Sequence, residues 1–407
     1  MRIGLVTGEY APMQGGVGDF TREVAKAFVA LGHQVFVVTG KSQAAGRTPE
    51  DHGVQVERVI DGWGWGCWRA LSDEARQLGL DVVNVQFQTA AYNMHPAINL
   101  LPFACGYPFM GWPRPLPIVV TFHDLRAPYL FPKAGPLRQQ AILALARHAD
   151  AVIVTNQEDE TNLKSQISNT CTARRRKCLK SQIFRVPIGS NIASCLPKGY
   201  RRDEWRARYG VKPDETLIGY FGFVHPLKGG EALIRALAEL AAEGRAVKLL
   251  HIGGRTGSSD ADTNASYAAR VESLARELGV ADRIIATGFV TSEQVTANFY
   301  AADFFAMPYV EGASFRHGTF HAALAHGRAI VTTRPSVPLE ELRDVENVLL
   351  VPPDDPHALA VGIRRVMEDA ALRARLERGA AELSQMFTWD RIAAQTVEIY
   401  RWARREV

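Results

Sequence analysis

The sequence predicts an α/β protein of two doubly wound, Rossmann-like domains, each a parallel sheet covered by helices on both faces. Three observations predict it. Short apolar runs of strand length alternate with segments of helical periodicity along nearly the whole chain. The alternation is interrupted once, around residues 194–202, by Pro197, Gly199 and a basic pair, and then starts again. The chain has 407 residues, more than one typical domain holds and comfortable for two. Apolar runs without polar alternation belong to strands buried on both faces, which is the signature of a parallel sheet.

The elements follow in order. Residues 3–7 are the opening strand. Residues 19–31 place Phe20, Val24, Ala27, Phe28 and Leu31 at helical spacing, and Gly32 closes that helix. Residues 35–38, 54–59, 82–86, 118–122 and 151–154 read as further strands, with helices near 66–78, 94–101 and 136–148. After the interruption, strands at 216–223, 247–252, 283–287 and 304–307 alternate with helices at 231–243, 267–278 and 292–301. A helix from Gly318 to Gly327 and a strand from Ala329 come next, and residues 356–405 are mostly helical.

Composition excludes several classes. The formal charge is +4, with 43 acids nearly balancing 47 bases, so general nucleic-acid binding has no electrostatic basis. The densest basic run (Arg174, Arg175, Arg176, Lys177, Lys180) is polar and aperiodic and reads as a solvated, irregular loop. The five cysteines (67, 105, 171, 178, 195) form no C-x-x-C pair and no zinc spacing; they read as reduced thiols of a cytoplasmic protein. The opening residues MRIGLVTGEY read as a strand rather than a signal peptide, and no run of 18 apolar residues suggests a membrane span.

Ligands of doubly wound sheets bind beyond the carboxyl ends of the strands, so the loops there carry the chemistry. The segment 303–333 is an apolar strand, then a loop with Glu311, Arg316 and His317, then a helix start at Gly318. Free amides and the dipole at a helix N-terminus can hold an anion, and Arg316 adds a charge suited to phosphate. An ordinary βα loop with solvated charges fits that segment equally well. The first βα connection, GEYAPMQGGVGDF, holds Gly15, Gly16 and Gly18, which permit close backbone approach or simple flexibility. It lacks G-x-G-x-x-G spacing, which disfavours a nicotinamide oxidoreductase. The strand 118–122 ends in His123-Asp124, where a histidine can bond a sugar hydroxyl, move a proton or simply hold a loop carbonyl. The second half opens with a strand and the turn Gly222-Phe-Val-His-Pro-Leu-Lys228-Gly229-Gly230, similar to an anion-binding turn but not a P-loop. His251-Ile-Gly253-Gly254 ends another strand. Asp260-Ala-Asp262 is formally a D-x-D pair, in a loop too polar and Ser-rich for a rigid metal site, and no metal is expected there. No G-x-S-x-G elbow or H-E-x-x-H is present.

Taken together, these segments resemble the family 4 glycosyltransferases of GT-B fold, in the right order over nearly the whole chain. Gly15-Gly16-Val17 is similar to that family's glycine loop and Thr121-Phe-His123-Asp124 to its histidine-bearing strand end. Residues 149–155 and 186–191 resemble the last two strands of the acceptor domain. Lys228-Gly229 matches the lysine that contacts the donor diphosphate, Gly288-Phe289-Val290 the segment near the nucleobase, and 351–356 a family turn.

The resemblance implies an acceptor-binding domain over residues 1–195 and a nucleotide-sugar-binding domain over 196–388, facing across a cleft. The helix of about 389–407 would pack back on the first. It implies retaining transfer of a sugar from a nucleotide-diphosphate sugar to an acceptor hydroxyl of a glycan, lipid or small molecule. His123, Lys228 and Glu311 would be catalytic. The donor would be held by Gly16, Lys228, Gly253, Phe289, Glu311, Arg316, Gly318, Thr319 and Phe320, the acceptor by Gly15, Gly16, Val17, His95 and His123.

No cofactor beyond the nucleotide sugar, no metal and no nucleic-acid partner is implied; the oligomeric state stays open. The chain departs from the family pattern in two places. Phe223 stands where the family has an arginine five residues before the lysine. The E-x7-E pair is not intact: eight residues after Glu311 comes Thr319, and aligning on Gly327 gives Ser314 and Ala322. Arg316 is the candidate replacement for the missing cation. Aromatic stretches at 62–68 and 101–113 suit sugar stacking, an apolar acceptor or core packing, and leave room for a peripheral contact with the inner membrane face. A nucleotide-sugar epimerase of the same fold and a non-catalytic nucleotide-sugar binder are the alternatives.

Overall fold

The structure is a computed structural model. It describes residues 1–13, 15–41, 52–106, 111–113, 115–123, 125, 135–170, 182–192, 194–254 and 261–406, except the side chains of 135–138, 168–170 and 261–264. The chain forms two compact units, Met1–Gly189 with Trp389–Val407, and Ser190–Thr388.

The first unit is built on β1 (Arg2–Thr7), β2 (Gln34–Gly40), β3 (Val54–Ile60), β4 (Val82–Phe87), β5 (Ile118–Phe122), β6 (Ala151–Val154) and β7 (Gln182–Arg185). They form one parallel sheet in the order β3-β2-β1-β4-β5-β6-β7 among the described residues. β4 and β5 are buried at every position, as their unbroken apolar runs require. The strand order reverses between β1 and β4, so the loop after β1 emerges at the switch point where such sheets take ligands. The final helix, Trp389–Glu406, belongs to this unit. Its apolar positions Ile392, Ala393, Val397, Tyr400 and Ala403 form a buried stripe. Tyr400 meets the Phe28 ring of the helix Gly16–Ala30, and its hydroxyl accepts a hydrogen bond from Asn84 Nδ2 at 2.6 Å.

The second unit carries β8 (Thr216–Phe221), β9 (Val247–Ile252), β10 (Ile284–Ala286), β11 (Phe304–Met307), β12 (Ile330–Thr333) and β13 (Leu349–Val351). Their order is β10-β9-β8-β11-β12-β13, again parallel. Here the reversal falls between β8 and β11. The lysine turn after β8 and the loop after β11 therefore flank the switch point.

Several segments differ from the sequence reading: the helix expected at 267–278 starts at Ala261, the one near 94–101 runs Ala97–Cys105, and the helix Gln157–Thr170 has no counterpart in it. Residues 186–191 are not a strand; the edge strand is Gln182–Arg185, only half-buried and too polar to show as an apolar run. The helix expected at 19–31 starts at Gly16, because Val17, Gly18 and Thr21 are buried along with its apolar stripe. The interruption at 194–202 leads straight into a helix, Arg202–Arg208. Its Arg206 is buried, with Nη1 bonded to the Ala301 carbonyl at 2.9 Å and paired with Asp303 at 3.1 Å. Residues 194–201 are thus irregular, and the polar segment that follows them is a helix whose charges are satisfied by tertiary partners.

Candidate active site

In the second unit, the sequence after β8 folds back as a single 3-10 turn, Pro226–Lys228, capped by His225, whose ring nitrogen accepts from Leu227 N at 3.1 Å. Gly229 follows with φ +69°, and a Cβ there would fall 1.8 Å from the Pro308 carbonyl oxygen. Only glycine allows the lysine turn to press against the end of β11. Val310 N–H donates to the Leu227 carbonyl at 3.0 Å, which ties the loop bearing Glu311 to the same turn.

The Lys228 ammonium lies over Gly222. A Cβ at Gly222 would come 2.6 Å from Lys228 Nζ and 2.8 Å from Thr319 Cγ2, and its φ of +117° also requires glycine. Lys228 and the first turn of the helix Gly318–Ala325 therefore converge on one spot. His251 Nε2 donates to the Gly222 carbonyl at 2.8 Å and fixes this backbone from the β9 side. Burial pushes the Lys228 ammonium down to about 8, so it is a desolvated charge still largely present at neutral pH. Burial also lowers the pKa of His251, a smaller contribution coming from Lys228, so the ring serves as a neutral donor.

The helix N-terminus is held by Tyr309. Its hydroxyl bonds Thr319 Oγ1 at 2.9 Å, and its ring stacks on His317 with centroids 3.9 Å apart. The Phe320 amide already donates to His317 O at 2.9 Å, and its side chain is fully buried. Of the amides of Gly318, Thr319 and Phe320, those of Gly318 and Thr319 precede the helix's own bonding. Arg316 is half-buried in the loop leading to this turn, and Glu311 is exposed. An apolar pocket lined by Val224, Leu233, Ile234, Val271, Ile284 and Gly288 opens beside His251 and Gly253. Gly253 and Gly288 form an antiparallel bridge, and Phe289 next to it is 74% exposed.

The first unit presents a different set of groups. The side chain of Glu9, just after β1, lies against Gly15, where a Cβ would fall 2.1 Å from Glu9 Oε2. Burial first and then Asp19 raise the pKa of this carboxyl. Gly15 is the N-cap of the helix Gly16–Ala30, Gly16 has open space above it, and the Val17 side chain is buried, so Val17 can offer a ligand only its backbone. His123 bonds Gln86 Oε1 through Nε2 at 2.9 Å, and its ring meets Phe20 edge-on at 4.6 Å. Burial pushes its pKa down to about 3, so it is neutral at physiological pH. His95 Nδ1 accepts from Ala97 N at 3.1 Å and packs edge-on against Trp65, which is 51% exposed, while Trp63 is core.

The structure thus brings Lys228, Thr319, Gly222 and His251 together around β8, β9 and β11, and Glu9, Gly15 and the glycine loop together after β1. Glu9, Tyr309 and His251 were not singled out as site residues from the sequence; their one legible signal is a polar side chain at or just after the end of a parallel strand. Asp124, Asp260, Cys171, Cys178 and the basic run 174–180 lie outside the described residues, as does the Asp262 side chain. No cluster of three or more His, Cys, Asp or Glu side chains suited to a metal occurs among the described residues. No helix among them is long and apolar enough to cross a membrane.

Comparison with known proteins decides the family. Residues 14–170 match "Glycosyltransferase Family 4" and residues 215–369 match "Glycosyl transferases group 1", one in each unit and in that order. The chain belongs to the family 4 glycosyltransferases. The chain is 34% identical over 219 residues to a D-inositol 3-phosphate glycosyltransferase of Nocardioides, a match covering 51% of this chain and 46% of that one. The chain spans about half the length of curated relatives of that kind. An uncharacterized glycosyltransferase of Methanocaldococcus jannaschii matches end to end, 25% identical over 99% of this chain and 98% of its own. Among solved structures, Anabaena HepE in complex with UDP superimposes with a TM-score of 0.75 at 19% identity, covering 99% of this chain and 100% of that one. That likeness concerns the fold, which is GT-B.

Proposed function

We propose that the protein is a retaining glycosyltransferase that moves a sugar from a nucleotide-diphosphate sugar to an acceptor hydroxyl. The single observation that carries this is the Lys228 ammonium set over Gly222 beside the first turn of the helix Gly318–Ala325. A desolvated cation and a helix N-terminus aimed at one point form a binding place for a diphosphate.

In the reaction, the bond between the anomeric carbon and the phosphate oxygen breaks while the acceptor oxygen bonds the same face of that carbon. The acceptor proton passes to the leaving phosphate oxygen, so no protein nucleophile is needed. Lys228, Arg316 and the Gly318 and Thr319 amides stabilise the charge that grows on the diphosphate. Glu311 takes donor hydroxyls, and the apolar pocket beside Gly253 and Gly288, with Phe289, takes the base. Gly15, Gly16, the Val17 amide, His95 and His123 serve the acceptor, which the neutral His123 can only hydrogen-bond, not protonate. The structure of HepE with UDP and the inositol-phosphate relatives support uridine nucleotides and polyol phosphates as the first compounds to test. Free thiols at Cys67, Cys105 and Cys195 suit a cytoplasmic reaction.

A panel of nucleotide sugars in thermal-shift titration, followed by product analysis with added acceptors, tests the proposal. The cognate donor should raise the melting temperature by mass action. Acceptor-dependent product supports transfer; a new sugar nucleotide formed without acceptor supports an epimerase; binding without turnover or hydrolysis supports a non-catalytic binder. We further propose that transfer needs no divalent metal, because Lys228, Arg316 and the helix N-terminus neutralise the diphosphate. Activity should persist in excess chelator and in Asp260→Ala/Asp262→Ala. Loss in chelator that magnesium or manganese restores would refute this.

A further inference from the structure

At the amino-terminal ends of β11 and β12, the end of the six-stranded sheet opposite the lysine turn, a second pocket opens in the same unit. Tyr200, Arg202, Tyr300, Asp303, Arg328 and Arg373 line it, and it holds ≈ 720 Å³ with the solvent at its mouth included. Nothing in the transfer reaction uses it.

Its charges do not balance. Three guanidinium groups, Arg202, Arg328 and Arg373, line it against two carboxylates, Asp303 and Glu377. Asp303 is saturated: Arg202 Nη2 contacts it at 2.5 Å, Arg206 Nη1 at 3.1 Å and the Leu217 amide at 2.7 Å. Glu377 reaches Arg328 at only 3.4 Å, and Arg328 Nη2 otherwise donates to the Ala302 and Asp303 carbonyls at 2.9 and 3.0 Å. The Arg373 guanidinium has no protein partner among the described residues. Arg328 Nε and the Tyr200 hydroxyl are enclosed without one. Tyr200 cannot act as a counter-anion. Burial raises its phenol to about 12 despite Arg202, Arg328 and Arg206 nearby, so it stays a protonated donor. The pocket therefore combines one excess positive charge with donors that lack acceptors. Its walls are aromatic: Arg328 lies over the Tyr300 ring at 5.8 Å, and Tyr200 packs on Trp205 at 5.9 Å.

We infer that this pocket is an anion-binding site for the phosphate group of a small molecule, separate from the donor site. Phosphate offers negative charge against the excess and several acceptor oxygens, spaced for guanidinium forks and for the unpartnered Arg328 Nε and Tyr200 hydroxyl. The aromatic walls suit the organic part of a phosphate ester. The inference does not depend on glycosyl transfer, and its test reads binding alone.

Isothermal titration of the full-length protein with inorganic phosphate and with glycerol 3-phosphate, at ionic strength held constant with chloride, tests it. Saturable binding should appear in the wild type and survive in Lys228→Ala, whose donor site is crippled. Arg373→Glu should weaken it by about tenfold or more, and Arg373→Lys less, because charge is kept and the fork lost. Tyr200→Phe provides a second variant that keeps the packing. Tighter glycerol 3-phosphate would identify an ester as the occupant, and equal affinities free phosphate. Nucleoside-diphosphate affinity should be unchanged in Arg373→Glu. Absence of saturable binding, indifference to Arg373→Glu, or loss in Lys228→Ala would overturn the inference.

Discussion

The two units share one architecture and place opposite chemistry at corresponding places. Each is a parallel sheet whose order reverses once, and each sets its polar groups at the strand ends beside that reversal. At the six-stranded sheet these groups are a partly buried ammonium, a neutral histidine that clamps backbone, and an open helix N-terminus. At the seven-stranded sheet they are a carboxyl under a glycine loop and a histidine that burial keeps uncharged. The scaffold is indifferent to charge; the loop residues decide it. One loop set suits a dianionic leaving group, the other neutral hydroxyls. The contrast also ranks the residues, since a charge acting on a developing charge outweighs a hydrogen bond to a hydroxyl.

The contrast can be broken or sharpened by substitution. The largest effect belongs to Lys228→Ala, which should lower turnover by roughly 10²–10³ with the fold intact, the size of other preorganised charges. Unchanged steady-state kinetics with the authentic donor would remove Lys228 from the site. Next, Arg316→Ala should weaken nucleoside-diphosphate binding about as much as Lys228→Ala does, with Arg316→Lys recovering part of the loss. Normal nucleotide binding by the alanine variant would make Arg316 a surface charge and leave the cation lost at Phe223 uncompensated.

His123→Ala should act on the other side only. We expect about a tenfold rise in acceptor KM, from one neutral hydrogen bond, with nucleotide affinity unchanged. A change in nucleotide affinity in direct titration would show that the two sides are not separable. Because the His123 pKa lies near 3, the wild-type rate should show no histidine titration near pH 6.5 that this variant abolishes.

The smallest effect is set by pH. With Lys228 at about 8 rather than its ordinary 10.5, nucleoside-diphosphate affinity should fall as pH rises through 8, by about twofold between pH 7 and 8. Lys228→Arg should flatten that profile. Stability runs the other way for this residue: between its folded and unfolded pKa values the unfolded chain binds the extra proton, so Lys228's contribution favours the folded state more as pH rises through that window. Loss of affinity without loss of melting temperature would separate the two effects; a pH-independent affinity would mean Lys228 is not the diphosphate cation.

The sequence by itself determined the two doubly wound units, because buried parallel strands are apolar runs that no solvated segment imitates. It also determined where ligands can enter and the chemical types of Lys228, His123 and Arg316, since these follow from strand ends and side-chain identity. Tertiary structure alone decided which groups meet. That Lys228 lies over Gly222 beside Thr319 depends on a contact between loops about 90 residues apart in sequence, which no local pattern encodes. The same holds for the pKa of Lys228, which is a property of its burial and not of the residue. It holds again for the polar edge strand Gln182–Arg185 and the helix Arg202–Arg208. These segments are too polar to show in the hydrophobic pattern, and the helix is held by partners such as Asp303, about a hundred residues away.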